Sequence, residues 1–385
     1  MNIPQMMDLD LKGKKTMIRL DLNVPIEHGQ ITSDARIKAS IPTILAAQNK
    51  GAKVIVLSHL GRPDPDNIDT QFSLQPVAKR LGELINQDID FIPNWIDSIP
   101  DNGNVVLCEN TRYHQGEKSN DEELSKRIAS LCDVYVMDAF GASHRKHAST
   151  YGAIKFSNKA CAGPLLSGEI ESLKKAMSAP EKPLVAIIGG AKVSSKLGVI
   201  ESLANSCDSI IVGGGIANTF LLANGNSVGN SLIETEMIEA AKRILKLDQV
   251  YVPLPTDVVV AKEFSNEATA LTKSMDQVEE DDLILDIGPE TTNAYNELIA
   301  SARTIIWNGP VGVFEIEQFS QGTAEIAKAI AANSGYKIVG GGDTVAVIEK
   351  YGISDSISYV STGGGAFLEF VKNGTLDALE VLAQH

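Results

Sequence analysis

The chain has 385 residues, of which 43% are hydrophobic and 22% are charged, and its formal net charge at pH 7 is −15. This length predicts two or three domains, and the composition is that of a soluble globular enzyme with ample material for hydrophobic cores. The acidic excess argues against nonspecific binding to nucleic acid or to a membrane surface, because both need an excess of Lys and Arg.

The first half of the chain alternates predicted strands with predicted helices. The strands are predicted at residues 16–20, 53–57, 105–107 and 134–137. Ser33 or Asp34 is a candidate N-cap for a helix that stops at Gly51, although Pro42 inside this pattern opposes a continuous helix. A second helical pattern begins near Leu124. Such alternation predicts a parallel sheet with helical crossovers.

Cationic side chains follow these predicted strands. Arg36 comes after the first strand, His59 and Arg62 after the second, Arg112 after the third and Arg145 after the fourth. Parallel strands end at one edge of their sheet, and guanidinium groups bind phosphate or carboxylate through two hydrogen bonds at once. Taken singly, each arginine would be interpreted as a solvated surface residue, and His59 as a packed structural histidine. Together, in an acidic chain, they predict an anion site.

In the second half, short apolar runs end repeatedly in glycine. The runs stand at residues 184–188, 210–212, 284–287, 305–308, 338–339 and 359–362. Near-continuous apolar runs are typical of parallel strands that are buried on both faces. Glycine after a strand lets backbone N–H groups approach a ligand closely. The repeated pattern therefore predicts a phosphate-rich ligand at the edge of a second parallel sheet.

Two glycine-rich segments carry the charges that such a ligand needs. Residues 189–196 predict a turn and a helix that starts near Val193, where Lys192 and Lys196 would neutralise a polyphosphate. Residues 340–344 offer backbone amides, and Asp343 faces Mg²⁺, caps a helix, or does both. The chain has no Walker pattern, and the triglycine at 213–215 taken alone is a tight turn.

The cationic loops give way to glycine-rich loops near residues 163–164 and 180–183. Residues 169–177 between these breaks form a good helical sequence, which predicts a helix connecting two α/β domains. No Ser or Cys shows the local signature of an activated nucleophile. Phosphoryl transfer fits that absence, because it needs alignment and charge neutralisation more than a covalent intermediate.

Seven motifs follow one another along nearly the whole chain. They are RLDLNVP at 19–25, SHLGRP at 58–63, DAFG at 138–141, GGAKV at 189–193, WNGPVGVFE at 307–315, GGGDT at 340–344 and STGGGA at 361–366. In order and spacing they resemble the phosphoglycerate kinase family. The resemblance implies the reversible reaction in which 1,3-bisphosphoglycerate and MgADP give 3-phosphoglycerate and MgATP.

The resemblance also implies the domain organisation. Each of two domains would be a Rossmann-like three-layer α/β/α fold around a parallel sheet. Residues 1–163 would bind 3-phosphoglycerate, 164–179 would form an interdomain helix, 180–365 would bind nucleotide, and 366–385 would return to the first domain. Closure of the domains would exclude water during direct in-line transfer.

Individual site residues are implied in the same way. For the triose phosphate they are Asp21, Asn23, Arg36, His59, Arg62, Arg112 and Arg145. For the nucleotide they are Gly190, Ala191, Lys196, Gly213, Gly214, Gly288, Asn308, Pro310, Val313, Glu315, Gly341, Gly342, Asp343 and Thr344, with Asp343 also on Mg²⁺. Catalysis would use Arg36 and Lys192 to offset the charge of the transferring phosphoryl group, together with Gly341 and Gly364.

The family expectation is a cytoplasmic monomer that uses Mg²⁺ with ADP or ATP. The four cysteines stand singly and the N-terminus lacks a signal-peptide pattern, which agrees with a reducing cytosol. Phe367 departs from the family, which usually has a small residue there.

Two other functional classes make different predictions. A non-catalytic binding protein on this fold predicts loss of Arg36, Lys192 or Asp343, and all three are present. A nicotinamide-dependent oxidoreductase predicts a clean G-x-G-x-x-G with an acidic residue about 20 positions later, which the glycine clusters do not show.

Overall fold

The computed structural model describes residues 2–100, 103, 105–361 and 363–385, so Thr362 of the STGGGA motif lies outside the described residues. The chain forms two compact units. The first comprises Met1–Glu171 and Thr375–His385, and the second comprises Ser172–Gly374. Among the described residues, no helix combines the length and the apolar character needed to cross a membrane.

The first unit is built on a six-stranded parallel sheet. Its strands and a small hairpin are β1 (Lys15–Leu20), β2 (Ile26–Glu27), β3 (Gln30–Ile31), β4 (Lys53–Leu57), β5 (Ile89–Ile92), β6 (Val105–Cys108), β7 (Val134–Asp138) and β8 (Ala160–Ala162). The sheet order is β5-β6-β4-β1-β7-β8, and β2 pairs with β3 apart from it. The four strands predicted from apolar runs are confirmed.

Helices α1 to α5 accompany this sheet. They are α1 (Ala35–Asn49), α2 (Gln75–Ile85), α3 (Glu122–Ser130), α4 (Ala153–Phe156) and α5 (Pro164–Met177). Helix α1 runs through Pro42, because its buried residues pack into the core of the unit and this packing outweighs one lost hydrogen bond. Asp34 occupies the N-cap position, but its carboxylate pairs with Lys38 at 2.8 Å and Arg80 at 2.7 Å rather than with a helix N–H group.

The second unit contains a five-stranded parallel sheet and a three-stranded antiparallel sheet. The strands are β9 (Leu184–Gly189), β10 (Ser209–Gly213), β11 (Asp257–Ala261), β12 (Leu271–Ser274), β13 (Leu283–Ile287), β14 (Thr304–Asn308), β15 (Tyr336–Gly340) and β16 (Tyr359–Ser361). The parallel order is β10-β9-β14-β15-β16, and the antiparallel order is β12-β11-β13. The prediction of parallel-sheet α/β architecture in both halves is confirmed.

The run at 284–287 was wrongly predicted to be a parallel strand. It lies in β13, which pairs antiparallel with β11. An apolar run shows that a strand is buried, but it does not show the direction of its neighbours. Residues of β13 instead contribute to a cavity described below.

The remaining helices are α6 (Leu197–Ala204), α7 (Gly215–Ala223), α8 (Ile238–Leu245), α9 (Pro289–Ser301), α10 (Gln321–Ala332), α11 (Gly342–Lys350), α12 (Gly364–Asn373) and α13 (Asp377–Leu382). Helix α6 starts at Leu197, four positions after the predicted start at Val193. Ser194 donates from its backbone N–H and its hydroxyl to the Glu234 carboxylate, so residues before Lys196 form a turn instead. Helix α13 belongs to the first unit, where Ala378 donates its N–H to Ser143 O at 3.0 Å.

Candidate anion and nucleotide sites

The predicted cationic residues follow four neighbouring strands of the first unit, β6, β4, β1 and β7. These strands are parallel, so their carboxyl ends meet at one edge of the sheet. The pKa of His59 shows which arginines lie near this edge. Burial lowers the pKa of this imidazole well below its usual range, and the charges of Arg19, Arg112, Arg145 and Arg36 lower it further. The structure therefore gathers these cations around one position.

Arg36 is oriented by the loop that follows β1. Its Nη1 lies 3.1 Å and 3.2 Å from the two carboxylate oxygens of Asp21 and donates to the Asn23 carbonyl oxygen at 3.0 Å. Asn23 Oδ1 accepts from the Gly61 N–H at 2.8 Å, which ties this loop to the one after β4. These bonds use Nη1 alone, so Nε and Nη2 of Arg36 keep hydrogens that an anion can accept.

Arg112 and Arg145 repel one another within the cluster. Burial lowers the pKa of Arg112 to about 10, and the charges of Arg145 and Arg19 add to this effect. Burial lowers the pKa of Arg145 as well, where Asp21 opposes and Arg62 adds to the lowering. Arg62 itself is exposed. Unbalanced positive charge of this kind favours an anion that contacts several guanidinium groups.

Sequence reasoning missed Arg19 as a member of this cluster. Arg19 lies inside β1 and is 1% exposed, and its Nη2 lies 3.0 Å from Nδ1 of His59. A charged residue in the middle of an apolar strand was the available signal, because a buried charge needs partners.

The second unit contains a cavity of about 590 Å³, a size typical of small-molecule sites. Among the residues predicted to bind nucleotide, its lining includes Gly190, Ala191, Gly214, Pro310, Val313, Glu315 and Asp343. It also includes residues that sequence reasoning missed, namely Gly215, Asn218, Asn230, Leu232, Phe264, Leu283, Ile284, Leu285 and Gly312. Leu232 is 54% exposed and Phe264 is 65% exposed, and Phe264 stands alone in a polar loop. An isolated aromatic in such a loop was the signal for it.

The lining does not include Lys196, Gly213, Gly288, Asn308, Gly341, Gly342 or Thr344. Gly288 is the N-cap of α9, and a Cβ there would lie 2.2 Å from the Asp257 carboxylate. A Cβ on Gly213 would lie 2.5 Å from Cα of Val311. Both positions therefore require glycine for packing, whatever they contribute to a ligand.

Lys196 is the N-cap residue of α6, and its ammonium is held by strand-end carbonyls. Its Nζ donates to the carbonyl oxygen of Gly189 and, at 3.3 Å, to that of Asn308. Burial lowers the pKa of Lys196 to about 8, while the Asp343 charge opposes that shift. A bound phosphate group would place a negative charge beside this ammonium and stabilise its charged form.

The loops after β14 and β15 are bound to each other. Thr344 Oγ1 accepts from the Gly309 N–H at 2.7 Å and donates to Gly340 O at 3.0 Å. Asn308 Nδ2 donates to the same carbonyl at 2.5 Å. A Cβ on Gly189 would lie 1.7 Å from the Pro310 carbonyl oxygen, so this glycine permits two loop backbones to touch.

Helix α11 contributes Asp343 of its first turn to the cavity wall. Its N-cap is Gly341, with φ of +99°, so Asp343 lies inside the first turn and is not the N-cap that the sequence allowed. Asp343 is exposed and lines the cavity. Gly342 and Gly364 each have open space where a Cβ would stand, which leaves room for a ligand. The Lys192 side chain is exposed, and its charge helps lower the pKa of Glu234, chiefly set by hydrogen bonds from Ser194.

The Phe367 ring leaves no room for a side chain at Gly340, the first glycine of the GGGDT segment. The ring is 1% exposed, and a Cβ on Gly340 would lie 2.5 Å from two of its atoms, Cγ and Cδ1. Phe367 belongs to α12 and Gly340 ends β15. Phe367, which directly follows the STGGGA motif, thus packs helix α12 against the glycine-rich loop that begins at Gly340.

We expect Gly340→Ala to lower the free energy of unfolding by about 1–3 kcal/mol, because overpacking displaces the Phe367 ring. In a Phe367→Ala background the same change should cost nothing, since the new methyl enters the vacated space. Urea unfolding of the four proteins in this double-mutant cycle measures the coupling. Gly168→Ala, whose added Cβ meets nothing within 4 Å, is the control. Equal costs of Gly340→Ala in both backgrounds would contradict the contact.

Comparison with known proteins places these sites in context. A family model described as phosphoglycerate kinase matches residues 6–374. The structure is similar to that of phosphoglycerate kinase from Coxiella burnetii, with a TM-score of 0.95 and 48% sequence identity, covering 100% of this chain and 99% of that one. It is also similar to phosphoglycerate kinase from Pyrococcus horikoshii OT3, with a TM-score of 0.82 and 31% identity, covering 99% and 98%.

Proposed function

The chain belongs to the phosphoglycerate kinase family and catalyses the reversible transfer of the acyl phosphate of 1,3-bisphosphoglycerate to ADP, a step of glycolysis, and we propose how its own residues carry this out. The observation that carries the proposal is the set of cations at the carboxyl ends of β6, β4, β1 and β7. An acidic chain that concentrates cations at one sheet edge is suited to a substrate with two anionic ends.

The first unit binds the triose phosphate in this proposal. His59, Arg62, Arg112 and Arg145 hold the phosphate that is not transferred. Asp21 and Asn23 contact the hydroxyl and carboxyl end, and Arg36 lies beside the carboxyl group that gains or loses phosphate. Support comes from the lowered pKa values of Arg112 and Arg145, which burial causes and the charges of neighbouring arginines increase, because a bound dianion would stabilise the charged form of both groups.

The second unit binds the nucleotide in the cavity between the strand ends and β13. Gly190, Ala191, Gly214, Pro310 and Val313 surround the adenosine, and Glu315 accepts a hydrogen bond from the ribose. Lys196 contacts the α-phosphate. Backbone N–H groups at Gly341, Gly342, Thr344 and Gly364 face the phosphates, for which helix N-termini are suited.

The residues at the cavity fit a magnesium ion that is shared with the nucleotide. Asp343 offers one exposed carboxylate at the wall, and Mg²⁺ is usually held by one or two carboxylates together with substrate phosphates. When bound, the ion neutralises charge on the phosphate oxygens. The acidic cluster of Glu279, Asp281 and Asp282 is unsuited, because Lys262 and Lys273 already pair with it.

The transfer needs no general base. In the direction of ATP consumption the nucleophile is the carboxylate of 3-phosphoglycerate, which is ionised near neutral pH. The difficulty is electrostatic, since two anions approach each other. Arg36 and Lys192 offset this charge, and Lys192 follows the phosphoryl group during transfer. The closing motion, the cytoplasmic location and the monomeric state stay predictions.

A coupled assay for ATP made from ADP and 1,3-bisphosphoglycerate tests these roles. Asp343→Asn should raise the Mg²⁺ concentration for half-maximal activity about tenfold or more, because the ion loses its protein carboxylate. Asp281→Asn, an exposed acid outside the cavity, should leave that concentration unchanged. Equal magnesium requirements in wild type and Asp343→Asn would remove this residue from the metal site.

A further inference from the structure

A buried acid that the reaction does not use lies behind the anion site. Glu117 is 1% exposed, although it comes from a polar segment of the sequence. Burial raises the pKa of this carboxyl, and the charge of Arg19 opposes the rise. A fully buried acid close to a fully buried arginine needs an account, because each is costly to bury alone.

Ser149 joins the two charges. Its hydroxyl donates to Glu117 Oε1 at 2.5 Å and accepts from Arg19 Nε at 3.0 Å. The Ser149 backbone N–H donates to Glu117 Oε2 at 3.0 Å, so both carboxylate oxygens are engaged at the start of the π-helical turn Ala148–Gly152. The bridge holds the guanidinium at Nε, next to the Nη2 atom that contacts His59.

The contact with Arg19 determines which ring nitrogen of His59 carries the hydrogen. A guanidinium has no acceptor, so the 3.0 Å contact between Arg19 Nη2 and His59 Nδ1 requires Nδ1 to accept. An imidazole that accepts at Nδ1 is neutral and carries its hydrogen on Nε2. The lowered pKa of His59 agrees, since burial and the surrounding charges of Arg19, Arg112, Arg145 and Arg36 all disfavour a second proton.

We propose that Glu117 is a positioning residue for substrate: through Ser149 it holds Arg19 so that His59 is kept as the neutral tautomer whose Nε2–H donates to the substrate phosphate. This inference rests on the proposed role of His59 in binding that phosphate. The network makes His59 a hydrogen-bond donor of fixed polarity rather than another cation, and its donor state does not change across neutral pH.

The tautomer is measured first, in the wild-type protein. Nitrogen-15 NMR of the imidazoles, with the His59 signal assigned by its loss in His59→Gln, should show a neutral ring protonated at Nε2 from about pH 6 to pH 8. A ring protonated at Nδ1, or a doubly protonated ring at pH 7, would overturn the network without any variant of Glu117 or Ser149.

Steady-state kinetics then tests the positioning role of Glu117. Ser149→Ala removes the bridge, and Glu117→Gln removes the charge at nearly constant volume. Both should raise the KM for 3-phosphoglycerate, Ser149→Ala by about tenfold, while the KM for MgATP stays within about twofold. The ring signal of His59 should shift in the same variants. Ser157→Ala, a buried serine whose hydroxyl bonds only Ala153 O among the described residues, is the matched control and should change neither.

Arg62→Ala separates failure of this inference from failure of the proposed site. If Arg62→Ala raises the KM for 3-phosphoglycerate but Ser149→Ala and Glu117→Gln do not, the positioning role is wrong and the anion site stands. If none of the three raises it, the proposed phosphate site is wrong, and the inference falls with it. Circular dichroism and thermal unfolding identify a variant that fails to fold, and the wild-type NMR result then decides.

Discussion

Replacing Arg36 with alanine is expected to lower kcat about 10³-fold, because a cation that offsets transition-state charge in phosphoryl transfer contributes about 10³–10⁵ in rate. The structure adds a second reason. Arg36 neutralises Asp21, with both carboxylate oxygens within 3.2 Å of its Nη1. Without the arginine, that carboxylate would repel the reacting carboxyl group of the substrate. The KM for MgATP should stay within about twofold, since Arg36 belongs to the other unit.

Two further variants sharpen the test of Arg36. Arg36→Lys keeps the charge but loses the planar fork, so it should recover part of kcat. Arg80→Ala removes an arginine that pairs with Asp34 and Glu83 and should leave kcat near the wild-type value. Steady-state kinetics in the direction of ATP consumption gives all three values. An Arg36→Ala enzyme that retains more than about a third of wild-type kcat would contradict the role.

The strands of the first unit could be predicted well from the local sequence. β4 coincides with the predicted run at 53–57, because a continuous stretch of β-branched and aliphatic residues suits a strand buried on both faces. The cationic residues could be placed together for the same reason, since the direction of parallel strands fixes where the loops meet. That topology alone was enough to predict that Arg36, His59 and Arg112 lie at one edge of the sheet.

Features that depend on distant partners could not be predicted locally. The helix expected from Val193 begins four residues later because Ser194 bonds Glu234, forty positions along the chain. β13 pairs antiparallel with β11, a partner that its own apolar run does not specify. Glu117 resembles a solvated surface acid in the sequence, and only the fold brings it to Ser149 and Arg19. Long-range polar contacts therefore account for most of what local patterns missed.

Lys196→Met is expected to weaken binding of MgADP about 100-fold, because the variant removes a partly buried charge that would pair with phosphate. In the wild type, the same lysine should make the KM for MgADP depend on pH. Burial lowers the pKa of Lys196 to about 8, so the free enzyme carries the charged form below that pH and loses it above. The charged form binds phosphate, and the KM should therefore be flat below pH 8 and rise toward pH 9.5.

Lys192→Met is the matched comparison, because it removes a lysine of the same loop that is exposed. Its proposed role is in the transfer step, so kcat should fall while the rise of KM above pH 8 remains. In Lys196→Met that rise should be absent, since no titrating ammonium is left at the strand ends. The dissociation constant of MgADP, measured by calorimetry at several pH values, separates binding from turnover. A wild-type constant that does not change between pH 7 and 9.5 would show that the phosphates bind without this ammonium, and the backbone amides near Gly341 would then have to supply the attraction.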